Sequence, residues 1–380
     1  MNVADFDFDL PPELIAQAPP AERGTSRLLV LERATGAIAH ATIGELSRWL
    51  QPGDLLVVNN TRVFPARLIG RREPSGGACQ CLLLRPLGRE RWEALVHPGQ
   101  KLKPGARVVF GTSPPLPGSP ARGPQRGSRV GDTPARQPRW GVLHGEVLER
   151  RFYGRRVVRL WTKDGSEVMD VIEQIGHVPL PPYIRRPDEP SDRERYQTVY
   201  ARAVGSVAAP TAGLHFTSGL LESLRRTGVE IAELTLHVGY GTFKPVRSAI
   251  VEDHVVDPEP YAITSEAAAE VNRALDERRR IVAVGTTTTR VLESAAVRGG
   301  GHVDAGAGIA DIFIYPGFKF QVISALLTNF HLPRSSLLML VSAFAGRERV
   351  LGAYQEAIAG RYRFYSYGDA MLILFFPSPP

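Results

Sequence analysis

What most constrains this chain is a change of rhythm near residue 165. Before it, short apolar runs follow one another at residues 53–58, 66–71, 79–85, 92–97, 107–110, 141–148 and 155–161, separated by turn residues. Pro52-Gly53 and Asn59-Asn60 bracket the first of them. Short strands at this spacing predict a small β-barrel. After it, helical stretches at 218–226, 265–280 and 336–345 alternate with apolar runs at 229–237, 281–284, 312–315 and 325–328. Alternation of that kind predicts an α/β domain. Thr217 is placed to cap the first helix, and Gly228 stands just past its end. The first 50 residues belong with the α/β part, with Pro11-Pro12 opening a helix through Ala16. The chain thus divides into an α/β catalytic domain at 1–60 and 162–380 and an inserted β-barrel domain at 61–161.

Residues 111–140 break both patterns. Proline and glycine fill 12 of their 30 positions, and the apolar residues have no period. Such a segment buries too little surface to offset its ordering entropy, so it is expected to be a disordered insertion in the barrel. It also distorts the charge. The chain carries a net +7, but Arg122, Arg126, Arg129, Arg136 and Arg139 against Asp132 give this segment +4, leaving +3 elsewhere. Overall charge therefore permits an RNA partner without demanding one.

Several classes of protein are disfavoured. No apolar run approaches the roughly 18 residues of a membrane span. The start, MNVADFDFDL, is acidic and lacks a secretory pattern, so a cytoplasmic protein is expected. Cys79 and Cys81 form a lone C-x-C pair, a poor zinc site, and read as small residues in a reducing compartment. No H-x-x-x-H spacing occurs, and no metal is expected. P-loop, G-x-S-x-G and G-x-G-x-x-G motifs are absent.

Four polar segments follow expected strands, at 237–243, 285–290, 315–318 and 328–333. In parallel α/β architectures the carboxyl ends of strands form the functional rim. The run Gly285-Thr286-Thr287-Thr288-Thr289-Arg290 precedes an expected helix at 291–297, and hydroxyls and free N–H groups there suit an anion. The small residues of 208–214 lead to His215 and allow a flat ligand close to the backbone. His215, His237 and His331 all fall beside the rim, where proton chemistry is the natural use. Near the end, aromatic and basic residues alternate from Arg361 to Tyr367, a pattern that serves either base stacking or a buried strand.

Long stretches of this sequence resemble the S-adenosylmethionine:tRNA ribosyltransferase-isomerases of queuosine biosynthesis. The resemblance runs from Asp5-Phe6-Asp7-Phe8 almost to Ile373. It is closest at 53–63, 196–201, 205–217, 235–243, 285–293, 327–333 and 362–372. It implies an irregular α/β barrel-type large domain with an inserted small β-barrel. It implies an enzyme that uses S-adenosylmethionine as a ribosyl donor. The acceptor would be 7-aminomethyl-7-deazaguanine at the wobble position of certain tRNAs, and the products epoxyqueuosine, adenine and methionine. That chemistry needs a base or relay, a carboxylate clamp and stacking surfaces. His215, His237 and His331 are the candidate bases. Thr286, Thr287, Thr288 and Arg290 are candidates for a carboxylate or phosphate. Tyr365 and Tyr367 would stack a base, and Arg62 would meet the tRNA backbone. Thr211, Thr242, Asn329 and Asp369 complete the expected substrate-binding set. A single chain is expected to be the working unit.

Three positions depart from the family pattern. Asp257 stands where a second histidine is usual after His254, Ser324 where an aspartate is usual, and Gln80 where an acid is frequent. The first two are expected at the rim. They motivate an alternative: a relative with an altered acceptor, or a tRNA-binding protein without catalysis.

Overall fold

The computed structural model describes residues 1–111, 141–243 and 245–375. The disordered insertion expected at 111–140 lies, from residue 112 on, outside the described residues. In chain order the strands are β1 (Arg27–Glu32), β2 (Ile38–Thr42), β3 (Leu55–Asn59), β4 (Thr61–Val63), β5 (Arg67–Glu73), β6 (Ala78–Pro86), β7 (Arg91–His97), β8 (Arg107–Phe110), β9 (Leu143–Arg150) and β10 (Arg155–Trp161). They continue with β11 (Ala203–Ser206), β12 (Glu230–Leu236), β13 (Glu259–Ile263), β14 (Ile281–Val284), β15 (Gly306–Ala310), β16 (Ala325–Asn329) and β17 (Ala370–Leu374). The α-helices are α1 (Val168–Ile175), α2 (Asp192–Arg195), α3 (Ser218–Arg226), α4 (Ser265–Asp276), α5 (Thr286–Arg298), α6 (Ser336–Ala345) and α7 (Arg347–Ala359).

The chain forms two compact units. One comprises residues 1–62, 181–186 and 195–380, the other 63–180 and 187–194. The larger unit is built on a nine-stranded sheet in the order β15-β13-β12-β3-β14-β16-β17-β1-β2. Its central strands are apolar on both faces, as strands covered on both sides must be. Along β3, Leu55 and Val57 enter one core while Leu56 and Val58 enter the other. Residues 28–31 of β1 and 281–284 of β14 divide in the same way. The first core takes its helical cover from α4 to α7, the second from α3 and Phe216.

The smaller unit holds a closed barrel, β10-β7-β6-β5-β8-β9, antiparallel throughout. Alternate residues of β6 (Cys79, Cys81, Leu83) are buried, with Leu68, Val108 and Leu143 from neighbouring strands. Both cysteines are free thiols, and burial raises them, Cys79 to about 11. The α/β unit with an inserted small β-barrel is thus the observed architecture.

Some elements differ from the sequence reading. The helix expected at 11–16 is a single 3-10 turn, Pro12–Leu14, after which Ile15 bridges to Phe364. Helix α4 stops at Asp276, and Arg278 turns the chain with φ 54°. The apolar run 312–315 is not a strand; the edge strand is β15. Its Gly308 lies so close to Tyr261 that a Cβ would come 2.4 Å from the ring, so the edge selects glycine rather than a β-branched residue. Among the described residues, no helix is long and apolar enough to cross a membrane.

Candidate active site

Strands β12, β3, β14 and β16 are mutually parallel, so their carboxyl ends share one edge. Strand β17 runs against β16 in a register that pairs Asn329 with Ala370, bringing its amino end to the same edge. A cleft with about 690 Å³ of empty space, open to solvent, lies there. Its wall includes Thr211, Thr242, Thr286, Thr287, Asn329, His331 and Tyr365, which the sequence reading places in the substrate site.

Helix α5 begins earlier than expected, at Thr286, and absorbs the whole threonine run. Gly285 makes the turn with φ 92°, a left-handed conformation that favours glycine. The four hydroxyls then have different fates. Thr288 donates to the Val284 carbonyl at 2.7 Å and Thr289 to the Gly285 carbonyl at 3.2 Å, both within the first turn. Thr286 and Thr287 face the cleft, and Thr287 Oγ1 is buried without a hydrogen-bond partner. Unpaired N–H groups and the positive end of the helix dipole make this wall attractive to a carboxylate. Thr287→Val is therefore expected to leave stability within about 0.5 kcal/mol of the parent, since no internal bond is lost. Its KM for an anionic substrate should rise about tenfold, the worth of one hydrogen bond to a charged group. Thr288→Val should show the reverse, losing about 1 kcal/mol of stability with little change in KM. Urea denaturation and initial rates on both variants separate the two roles.

Asn329 also lines the cleft. Its Nδ2 donates to the Tyr365 carbonyl at 3.1 Å and to His215 Nε2 at 3.1 Å, with the Asp369 carbonyl at 3.5 Å. His215 Nε2 must therefore accept, leaving the ring hydrogen on Nδ1, which lies 2.9 Å from Ser26 Oγ. The neutral tautomer follows, and burial together with Arg363 and Arg23 lowers His215 to about 4. With its N–H groups committed, Asn329 is left with a buried Oδ1 that has no partner. His331 is also buried and neutral: Nε2 meets Thr328 Oγ1 at 2.8 Å, and burial lowers it to about 3. Tyr365 adopts φ 73°, an uncommon conformation for an aromatic residue, and its buried hydroxyl lacks a partner.

The remaining expected residues sit elsewhere. His215 and Tyr367 border a smaller neighbouring recess with Arg23 and Arg195. Tyr367 packs edge-on against Tyr196, and Asp369 accepts from the N–H groups of Arg27 and Arg363, shaping the turn before β17. His237 lies against the Gly205 backbone and bonds Thr61 Oγ1 at 2.9 Å; it does not line the cleft. Arg62 is exposed and also outside the cleft wall. Arg290 is committed to Glu259, with Nη1 2.7 Å from Oε2, and donates to the Ala310 carbonyl at 2.9 Å. Burial raises the Glu259 carboxyl against the pull of Arg290. This pair, with Asp257 and His254, lines a side chamber that shares Thr242 and Leu337 with the cleft.

Of the departures expected at the rim, only Asp257 is there. Ser324 precedes β16 at the opposite edge of the sheet, where its hydroxyl accepts the Ile281 N–H at 2.8 Å. Gln80 bonds Arg67 within the barrel unit at 3.1 Å. The sequence reading also missed Tyr183, which stacks on Tyr365 with ring centroids 4.4 Å apart and bonds Ser366 Oγ at 2.5 Å. It follows Pro181-Pro182 in a segment without periodicity, so only the stack reveals it. Among the described residues there is no cluster of three or more potential metal ligands.

Comparison with known proteins gives one consistent result. Residues 3–373 match the family described as queuosine biosynthesis protein. The S-adenosylmethionine:tRNA ribosyltransferase-isomerase of Heliobacterium modesticaldum is 49% identical over 374 residues, spanning 98% of this chain and 100% of the relative. That of Symbiobacterium thermophilum is 50% identical with the same coverage. The crystal structure of an S-adenosylmethionine tRNA ribosyltransferase from Thermotoga maritima shares 36% identity, covers 97% of this chain and 100% of its own, and has a TM-score of 0.51.

Proposed function

Since the chain belongs to the queuosine biosynthesis protein family, the S-adenosylmethionine:tRNA ribosyltransferase-isomerases, we propose that the cleft at the strand ends is where it carries out the family reaction. That reaction transfers and isomerises the ribosyl moiety of S-adenosylmethionine onto 7-aminomethyl-7-deazaguanine in a tRNA anticodon. Epoxyqueuosine, adenine and methionine are the products. The observation that carries this reading is the set of three unpartnered buried polar atoms in one wall system: Thr287 Oγ1, Asn329 Oδ1 and Tyr365 Oη. Buried polar groups are ordinarily satisfied, so three exceptions around one cleft suit a polar ligand. S-adenosylmethionine offers a carboxylate for Thr286 and Thr287 at the start of α5, N–H donors for Asn329 Oδ1, and a flat purine for the Tyr183–Tyr365 pair.

In this reading the histidines divide the work. His331 lines the cleft and takes the C5′ proton made acidic by the neighbouring sulfonium. Burial holds it below the range best suited to a general base, so the transfer leans on the acidifying sulfonium, and the proton then passes to the departing adenine. His215 acts through Asn329, fixing the amide so that its oxygen is the free atom. His237 has no direct part. The acceptor amine attacks the resulting electrophile, and epoxide closure expels methionine. Ser324, at the far edge of the sheet, lends no weight to an altered acceptor. We assign the reaction to the cytoplasm, with one chain as the working unit.

The direct test is mass spectrometry of a tRNA bearing the aminomethyl-deazaguanine base after incubation with the protein and S-adenosylmethionine. Epoxyqueuosine is expected, with adenine and methionine released in equal amounts. Binding of S-adenosylmethionine without product would refute the proposed acceptor.

A further inference from the structure

One surface of the barrel unit is not explained by the cleft chemistry. Residues 150–156 read Arg-Arg-Phe-Tyr-Gly-Arg-Arg, with four arginines and no acid in seven positions. They form the tip of the β9–β10 hairpin, closed by the Arg151 N–H to the Arg155 carbonyl at 2.8 Å. Phe152 is 87% exposed and its neighbour Tyr153 is 90% exposed. Single exposed aromatics are common and need no account, but two adjacent rings projecting almost fully into water do. Hairpin tips usually place glycine or asparagine at left-handed positions, yet here Tyr153 takes one, at φ 55°.

The tip is braced from beneath. Arg156 is buried, and its Nη1 donates to the Gly154 and Arg155 carbonyls at 3.1 and 3.0 Å. Its Nη2 reaches the Gly99 carbonyl at 3.2 Å. Beside it, the buried Glu93 carboxylate gathers Arg85, Arg155 and Arg151 at 3.0, 3.0 and 3.6 Å. Arg151 also meets Glu149 at 3.4 Å, so three guanidiniums share two carboxylates, and Arg150 and Arg156 add to the positive excess next to two exposed aromatic rings.

We infer that this hairpin tip is a contact for single-stranded RNA, with Phe152 and Tyr153 stacking unpaired bases and the flanking arginines meeting phosphates. The assignment rests on the proposed function, which supplies a tRNA with unpaired loop bases. The combination fits RNA better than a protein partner, because a cationic rim suits phosphates and aromatic faces accept any base. A second copy of this chain would bring the same excess charge and be repelled.

The test uses the full chain, a short RNA stem-loop with an unpaired loop, and a blunt RNA duplex of equal length. The double variant F152S/Y153S should bind the stem-loop about ten- to a hundredfold more weakly, the effect expected for one or two lost stacks. It should bind the duplex about as before, and its melting temperature should hold because both rings are exposed. F152Y/Y153F, which keeps both rings, should retain affinity. With the modified tRNA, KM for tRNA should rise in F152S/Y153S while KM for S-adenosylmethionine stays in place. Equal stem-loop affinity in the parent and F152S/Y153S overturns the inference, as does a parent that does not bind the stem-loop. So does a variant that loses only self-association. If the stem-loop contact is lost as expected but the parent makes no modified nucleoside, the hairpin assignment stands and the functional reading fails.

Discussion

Replacing Arg290 with methionine is expected to cost about 3–5 kcal/mol of stability, the penalty for stranding a buried charge. Arg290 and Glu259 are both buried and bonded at 2.7 Å. Without the guanidinium, the Glu259 carboxylate keeps only the Gly239 N–H at 2.8 Å and the Thr242 hydroxyl at 3.5 Å. The pH dependence gives the cause away. Burial already raises Glu259 in the parent, so the folded state holds that proton more readily than the unfolded chain does. In Arg290→Met the strongest opposition to that rise is gone, and only the Gly239 N–H and the Thr242 hydroxyl still work against it. Stability of the variant should therefore increase as pH falls from neutral towards the unfolded carboxyl value of about 4.3, starting at higher pH and by more than in the parent, where Arg290 restrains the rise. The double variant R290M/E259Q, in which neither side chain is charged, should recover much of the loss. Urea titrations at several pH values would settle the matter; a deficit independent of pH and undiminished in the double variant would mean that packing, not charge, is what Arg290 supplies.

The second large effect concerns the two buried histidines. His331 and His215 are lowered to about 3 and about 4, chiefly by burial, against about 6.5 in the unfolded chain. Above pH 6.5 both states are neutral there, and their contribution is fully present. As pH falls below 6.5 the unfolded chain takes up protons that the folded protein refuses, so stability drops by about 1.4 kcal/mol per pH unit for each histidine. The loss is complete only once pH has passed through the folded values. Between pH 6.5 and 5 the fall should be visible before most carboxylates titrate. His331→Gln should remove one histidine's share of the slope, whatever it does to the plateau. The same lowering predicts that kcat/KM shows no acid limb near 6.5 from these residues. A flat stability curve over that interval would show that both are solvated and titrate normally, and half the expected slope that one of them does.

Legibility from sequence followed locality. Helices α3 and α6 have the expected bounds because their caps are written beside them: Thr217 accepts the Leu220 N–H and Ser335 the Leu338 N–H. The threonine run misled because β-branched residues are weak helix formers. The hydroxyls of Thr288 and Thr289 bond back to carbonyls four residues earlier, which lets a run expected as loop sit inside a helix. Convergence of the polar segments was readable from strand ends alone, and Thr242, Thr287, Asn329 and His331 from three of them line one cleft. What no local pattern carries is pairing across the chain. Arg290 with Glu259, Tyr183 with Tyr365 and His215 with Asn329 are brought together by sheet order, not by spacing.

That sheet order also sets a timetable for synthesis. The barrel unit draws only on residues before 195, so all of its strands are available while the ribosome is still translating the remainder. The large sheet has no such freedom. Strand β1, made near the start, takes its place beside β17, and β3 stands between β12 and β14. Strand β3 must wait for its two neighbours until residue 284 has been made, and the open side of β1 until residue 374. Nascent chains of this protein therefore pass through a long interval with a finished small unit and an exposed apolar ribbon at β1, the period in which a holding chaperone has most to protect.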